Sequence, residues 1–346
     1  MSDRRKEAEE KMAKAIFISA DCWLCVFDLL EPSQLGLGIS MISHRFDFYV
    51  DEHFKTRKWA LKIIGIRIKN GENGTKEMEI VNFSGKQIPI PQKPLPRGVI
   101  GFERVDFVYI DHNVITFLGY FRPLFAACQI NLFIHTDSDR VLELILRNIW
   151  PMIATNICAI QLSTEIFRCL RQMAPSILDD CPSLRVVNAY SGRFFAEFPA
   201  DDWLFTPLQN GVPKVFRCWM GNDEGTYPSI IEALKTTFAS VSSPVNFIVV
   251  IWFPSSFASS VVLFNLTNEL TREQLALKRT DNSDRFLLVR CPIARDENKW
   301  TKWEEEAIDW RIYNQWNQIL MLINENDIGD GLLDATPGPS DQQQNE

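Results

Sequence analysis

The chain has 346 residues, of which 46% are hydrophobic and 23% are charged, and it carries a formal net charge of −8. This composition is typical of a globular protein with two or three domains. The acidic balance argues against a general binder of nucleic acids or anionic membranes, because both need a basic surface. No apolar run approaches the roughly 20 residues that cross a bilayer, and the charged start MSDRRKEAEEK lacks the apolar segment of a signal peptide. We therefore expect a cytoplasmic or nuclear protein.

The eight cysteines are scattered along the chain, which is typical of a reducing compartment. Cys22 and Cys25 form a C-x-x-C pair. A zinc or redox site would need a second ligand pair or a preceding strand, and the sequence offers neither. We interpret the pair as ordinary thiols of an amphipathic helix, and we expect neither a metal nor a cofactor.

A charged tail at 1–14 precedes a stretch, residues 15–60, whose apolar residues fall at helical spacing. Ser19 is placed to cap a first helix, and Pro32 ends it while being tolerated in the first turn of a second. A third short helix is predicted over 49–54, ending near Trp59. The residues predicted to face inward are Trp23, Val26, Phe27 and Leu30 on the first helix and Leu35, Ile39, Ile42 and Phe46 on the second.

Three helices this short cannot enclose a core of their own, so other apolar surface must cover them, and we expect a partner protein to do so. The stretch resembles an F-box in its first helix, its Leu30-Glu31-Pro32 break and the run ISHRF at 42–46, with Ile18-Ser19 where that family usually opens with Leu-Pro. The resemblance implies binding to a Skp-type adaptor and, through it, to a cullin in a ubiquitin ligase. The adaptor-binding residues that it implies are Trp23, Phe27, Leu30, Pro32, Leu35, Leu37, Ile39 and Ile42. The same side chains could instead hold the helices onto the rest of the chain.

The remainder is predicted to be α/β, with a mixed sheet. A connecting region at 61–129 contains two strands, a proline-rich run, a third strand and a helix capped by Asp111. Residues 130–325 form the α/β body that would select a protein substrate, and 326–346 is an acidic tail without apolar pattern. The predicted strands are 61–68, 78–83, 99–110, 130–135, 157–162, 184–189, 246–253, 261–266, 275–279 and 285–291, with a further start at Lys214. The predicted body helices are 138–150, 164–178 and 298–317.

Two features of this remainder bear on its family and architecture. Residues 85–121 and 285–310 resemble an expanded nematode family of F-box-like proteins. The strands from Ile157 onward recur at intervals of roughly 30 residues, near the upper limit for leucine-rich repeats. The pattern predicts either a short, degenerate βα repeat array or a closed α/β sandwich.

The proline-rich run IPIPQKPLP at 88–96 has two interpretations. Pro91 and Pro94, flanked by Lys93 and Arg97, could form a polyproline ligand for another domain. Because apolar residues alternate with the prolines and strand-like sequence follows directly, we favour a rigid extended segment laid across the fold.

Catalytic chemistry has little support in the sequence. His44, His53, His112 and His135 are each interpreted as surface or capping residues, because no nucleophile motif or partner carboxylate accompanies them. We therefore expect an interaction protein that is not an enzyme. The alternatives are a scaffold without any link to a ligase, or a hydrolase or transferase with its site at the carboxyl ends of the parallel strands.

Overall fold

The computed structural model describes residues 18–56, 59–70, 76–88, 95, 98–190, 202–219, 226–282, 284–329 and 332. Its strands are β1 (Trp59–Asn70), β2 (Lys76–Asn82), β3 (Gln87–Ile88), β4 (Val99–Phe107), β5 (Ile130–His135), β6 (Ile157–Leu162), β7 (Val186–Ala189), β8 (Lys214–Trp219), β9 (Phe247–Trp252), β10 (Phe264–Asn268), β11 (Glu273–Arg279), β12 (Arg285–Pro292) and β13 (Gln318–Leu322). All thirteen belong to one sheet, in the order β10-β11-β12-β9-β8-β7-β6-β5-β13-β4-β1-β2-β3.

Three helices precede β1, and most of the others alternate with the strands from β4 to β10. The helices are α1 (Ala20–Phe27), α2 (Pro32–Leu37), α3 (His44–Thr56), α4 (His112–Ala127), α5 (Asp139–Leu144), α6 (Trp150–Ile153), α7 (Thr164–Met173), α8 (Asp202–Phe205), α9 (Thr226–Ser240), α10 (Ser255–Ala258) and α11 (Glu297–Asp309). A π-helical turn joins α5 to α6. Within the part of the chain that the structure describes, no helix has both the length and the apolar character of a membrane span.

The sheet is parallel in its centre and antiparallel at both edges. The strands from β9 through β8, β7, β6, β5, β13 and β4 to β1 are parallel to their neighbours. At one edge β2 and β3 run antiparallel, and at the other β12, β11 and β10 do so. Helices alternating with a mixed sheet confirm the predicted α/β class.

The strands β5 to β9 follow one another in the sheet in the order of the chain, as successive βα units do. The observed starts of β6 to β9, at Ile157, Val186, Lys214 and Phe247, lie close to the predicted ones. This order is compatible with the predicted βα array. The C-terminal strand β13 then inserts between β4 and β5, so strands from both sides of the expected boundary at residue 129 belong to one sheet.

Alternation of side chains along the strands gives the sheet two different faces. The face that carries Leu132, Phe216 and Val249 shares one continuous apolar core with most of the helices, and we call it the helix-rich face. The opposite face carries a smaller core beneath α11 and is called the α11 face. The core of the α11 face consists of Ala159, Val186, Val215, Ile248, Val250, Leu287, Val289, Cys291, Trp300 and Ala307.

Several predicted elements differ from the observed ones. The helix predicted over 298–317 ends at Asp309, and a 3-10 turn follows at Ile312–Asn314, so that Trp316 is exposed instead of packed. The predicted acidic tail begins too early, because Ile328 is buried and pairs with Ile110. The tails at 1–14 and beyond 332, and most of the proline-rich run at 88–96, lie outside the described residues.

Candidate functional site

The three N-terminal helices pack onto the helix-rich face beside β1. Ser19 caps α1, its Oγ accepting a hydrogen bond from the backbone N–H of Cys22 at 3.3 Å, as predicted. Pro32 occupies the first turn of α2, also as predicted. Since Gly36 and Gly38 are poor helix formers, α2 ends at Leu37, earlier than expected. The third helix therefore begins at His44, well before the predicted start.

The inner sides of α1 and α2 are sealed by the chain itself. Phe27, Leu35 and Leu37 are fully buried, and they belong to the same apolar core as Leu61 and Ile64 of β1. The expectation that a partner protein covers this side is corrected, because α3 and β1 of the same chain cover it. Side chains with no accessible surface cannot contact an adaptor, so these three residues hold the helices in place.

Contacts between α3 and the start of the sheet are similarly close. The ring of His53 stacks on Trp59 with a centroid distance of 5.6 Å and meets the edge of Phe27 at 5.8 Å. A side chain at Gly98 would place its Cβ 2.2 Å from the backbone oxygen of Phe54, so only glycine allows this approach. His53 is thus a buried packing residue, and its interpretation as a surface or capping residue is wrong.

The other predicted adaptor-binding residues are distributed between the interior and the surface. Trp23, Leu30 and Ile39 are half-buried against the core, and Pro32 is buried. Trp23 meets Phe46 edge to face, with a centroid distance of 4.8 Å. Ile42 differs from the rest, because 63% of its surface is exposed. Of the eight predicted residues, Ile42 alone is classed as exposed.

The outward side of α1 is apolar as well, which the sequence analysis missed. Its residues recur at helical spacing on the side opposite Trp23 and Phe27, in the helix and the turns that flank it. Leu29 is 86% exposed and Val26 is 41% exposed, whereas Val26 was predicted to face inward. We define the α1 outer face as Ile18, Cys22, Cys25, Val26 and Leu29, all of which are exposed.

A helix that is apolar on both sides is normally buried on both sides. In α1 the only charged side chain is that of Asp21, and Asp28 follows at the C-cap. The inner side packs against α3 and the apolar core, whereas in the described part of the chain the outer face is open to solvent. The signal that could have revealed this surface is the spacing of Cys22, Val26 and Leu29 at i, i+4 and i+7.

A groove of about 980 Å³ lies elsewhere, between the amino ends of β6, β7 and β8 and the end of α11. In the wall of the groove, Arg185 Nη2 lies 3.4 Å from Glu306 Oε2. Burial raises the pKa of the Cys158 thiol to about 11, so this thiol is not an activated nucleophile at neutral pH. The residues that line the groove include the carboxylates of Glu306 and Asp309 but no histidine.

The remaining titratable groups form no metal centre within the described residues, where no group of three His, Cys, Asp or Glu side chains could hold an ion. His44 and His112 are exposed, and His135 Nδ1 lies 3.0 Å from the hydroxyl of Tyr190. Cys22 and Cys25 are exposed free thiols. The α1 outer face is therefore the strongest candidate for a functional surface in the N-terminal helices.

Comparisons with protein-family models, with curated proteins and with solved structures found no match to the chain.

Proposed function

We propose that the protein is the substrate-recognition subunit of a cullin-RING ubiquitin ligase and binds a Skp-type adaptor through the N-terminal helices. The α/β body would then select a protein substrate. The observation that supports this proposal is the α1 outer face, where Leu29 and Val26 remain exposed on a helix whose inner side is already buried. The partner is suggested by the F-box resemblance of residues 15–60.

This proposal changes the set of residues that would contact the adaptor. Phe27, Leu35 and Leu37 would act indirectly, by holding α1 and α2 against the sheet. Direct contact would come from Leu29 and Val26. Burial of apolar surface contributes about 25 cal/mol per Å², so side chains as exposed as Leu29 can stabilise a complex without first disturbing the fold.

Leu29→Glu tests the proposal, because it places a charge on the α1 outer face while leaving the core intact. Leu270→Glu is the matched control, since Leu270 is 77% exposed in the turn between β10 and β11. The chain is co-expressed with a Skp-type adaptor and a cullin, purified through a tag and examined for both partners. We expect the wild type and the control to retain them and Leu29→Glu to lose them.

Equal recovery of the adaptor with Leu29→Glu and the control would remove the α1 outer face from the interface. Absence of the adaptor from the folded wild type would remove the ligase assignment itself. Circular dichroism of each variant verifies that the fold is unchanged.

A second candidate function is a protein-interaction scaffold with no link to a ligase. The burial of Phe27, Leu35 and Leu37 within the chain favours it, because these residues then serve the fold instead of an interface. A scaffold would bind through the α/β body and would be insensitive to Leu29→Glu. The same co-purification separates the two candidates, because a scaffold recovers neither adaptor nor cullin.

A further inference from the structure

Three arginine side chains share neighbours on the α11 face, near the carboxyl ends of β8 and β9. Arg217 extends from β8, Arg285 begins β12, and Arg311 follows the end of α11. The guanidinium carbons of Arg217 and Arg285 lie 4.8 and 5.2 Å from the ring centroid of Trp252, so both cations contact one indole.

The positive charge of this cluster is incompletely balanced. The pKa of Arg217 is lowered to about 9, first by burial and then by the charges of Arg311 and Arg285, while Asp309 acts in the opposite direction. Burial and Arg311 also lower the pKa of Arg285, again against Asp309. Among the described residues, these three guanidinium groups and the one carboxylate that acts on them carry a formal charge of +2. Each of these like charges disfavours the charged form of its neighbours, and an anion bound among them would offset that cost.

Capping of α11 explains only part of the cluster. Arg217 Nη1 donates to the backbone carbonyls of Ala307 and Ile308, and Arg311 Nη1 donates to those of Ile308 and Trp310. These bonds supply donors to the last carbonyls of the helix, which have no hydrogen-bond partner within it, and the helix dipole favours cations at that end. Arg285 makes no such bond to α11.

Hydrogen-bond donors remain without acceptors in the cluster. The Nε atoms of Arg217 and Arg285 are buried and have no hydrogen-bond partner among the residues that the structure describes. Arg217 is only 3% exposed, whereas Arg285 is half-buried and can be reached from solvent. Because buried N–H groups are nearly always paired, unpaired donors on adjacent cations indicate a missing acceptor.

We propose that the arginine cluster formed by Arg217, Arg285 and Arg311 binds a phosphate monoester. Such a group carries a charge of roughly −1.5 to −2 at neutral pH and three strong acceptor oxygens. It therefore matches both the residual +2 charge and the forked donors of the guanidinium groups. A carboxylate would neutralise only half of that charge.

The surroundings of the arginine cluster suit the group that carries the phosphate. Trp219 pairs in register with Trp252 and is 45% exposed, and Tyr190 at the end of β7 is exposed beside it. These rings offer apolar surface along the strand ends for an aliphatic or aromatic carrier. The site lies on the face of the sheet opposite α1, α2 and α3, and it is independent of adaptor binding.

Calorimetric titration of the full chain tests the site, with inorganic phosphate, N-acetyl-phosphoserine amide and N-acetyl-phosphotyrosine amide as probes. Ionic strength is held constant with sodium chloride, because screening alone changes weak electrostatic binding. We expect saturable binding of phosphate that chloride does not reproduce. Tighter binding of either amide would assign the site to a phosphorylated protein, and equal binding of all three would assign it to free phosphate compounds.

Arg285→Gln is the decisive variant, because Arg285 makes no hydrogen bond to α11, and Arg122→Gln on the exposed side of α4 is its matched control. We expect Arg285→Gln to weaken binding by about tenfold or more, which is roughly 1.4 kcal/mol, and the control to bind as the wild type does. Arg285→Lys keeps the positive charge but loses the paired N–H donors of the guanidinium group, so it should bind phosphate with intermediate affinity. This variant provides the test if Arg285→Gln fails to fold. Absence of saturable binding by the wild type, or binding by Arg285→Gln equal to that of the control, would overturn the proposal.

Discussion

Replacement of Phe27 by alanine tests how firmly the N-terminal helices belong to the fold. The Phe27 side chain is fully buried between the sheet and α3, and its ring lies 6.5 Å from that of Trp23 and 5.8 Å from that of His53. Truncation of a buried phenylalanine usually costs about 3–5 kcal/mol, through lost burial and the cavity left behind. We expect a loss of that size in the free energy of unfolding.

Urea unfolding followed by circular dichroism and by tryptophan fluorescence measures this loss. Since Phe27 shares its core with Leu61 and Ile64 of β1, both probes should report one transition that moves to lower urea. Leu29→Ala is the matched control, and its free energy of unfolding should stay within about 0.5 kcal/mol of the wild type. A cost below about 1 kcal/mol for Phe27→Ala, or a separate early transition of the helices, would refute the intramolecular packing described above.

Two further predictions concern titratable groups. Cys22 and Cys25 are exposed, while burial raises the pKa of each of the other six thiols. N-ethylmaleimide should therefore modify Cys22 and Cys25 first in the native protein, and mass spectrometry counts the modified cysteines. Early modification of any other cysteine would contradict the packing. Burial lowers the pKa of Lys214 from 10.5 to about 8. Between these two pH values the folded state therefore binds fewer protons than the unfolded state, so stability rises with pH. At and below pH 8 the charged, buried lysine destabilises the fold. The free energy of unfolding of the wild type, relative to that of Lys214→Met, should therefore rise by up to about 3 kcal/mol between pH 8 and 10.5, as measured by urea unfolding. A difference that does not change with pH would show that the lysine is not desolvated.

Local sequence patterns were sufficient to predict the helices and strands whose boundaries depend on a few neighbouring residues. The strand starts at Ile157 and Lys214 coincide with the predicted ones, because both strands are short segments rich in apolar residues and largely buried. Ser19 and Asp111 cap their helices as predicted, with Asp111 Oδ1 accepting from the N–H of Val114 at 2.7 Å. Each of these signals is contained within a few residues.

Features set by distant parts of the chain were not predictable in this way. The insertion of β13 between β4 and β5 depends on pairing with strands far away in the sequence, which a local pattern does not encode. The end of α11 at Asp309 is fixed in part by Arg217, which binds the last carbonyls of the helix from β8. Sequence alone predicts a continuous helix there, because the apolar spacing persists to Trp316.

The candidate sites show the same division. The sequence located the N-terminal helices and the inward positions of Trp23 and Phe27. It assigned the covering surface to a partner, because nothing in residues 15–60 reveals that β1 supplies it. The arginine cluster was missed, since Arg217 and Arg285 lie far apart in sequence and meet only through the pairing of β8, β9 and β12.

The affinity of the purified chain for a purified Skp-type adaptor tests the central claim most directly. We expect measurable binding by the wild type and by Leu270→Glu, with a loss of at least about tenfold in Leu29→Glu, since truncated anchors in such interfaces commonly cost 2 kcal/mol or more. Identical dissociation constants for Leu29→Glu and the wild type, with all three proteins folded, would contradict the assignment of the α1 outer face as the docking surface.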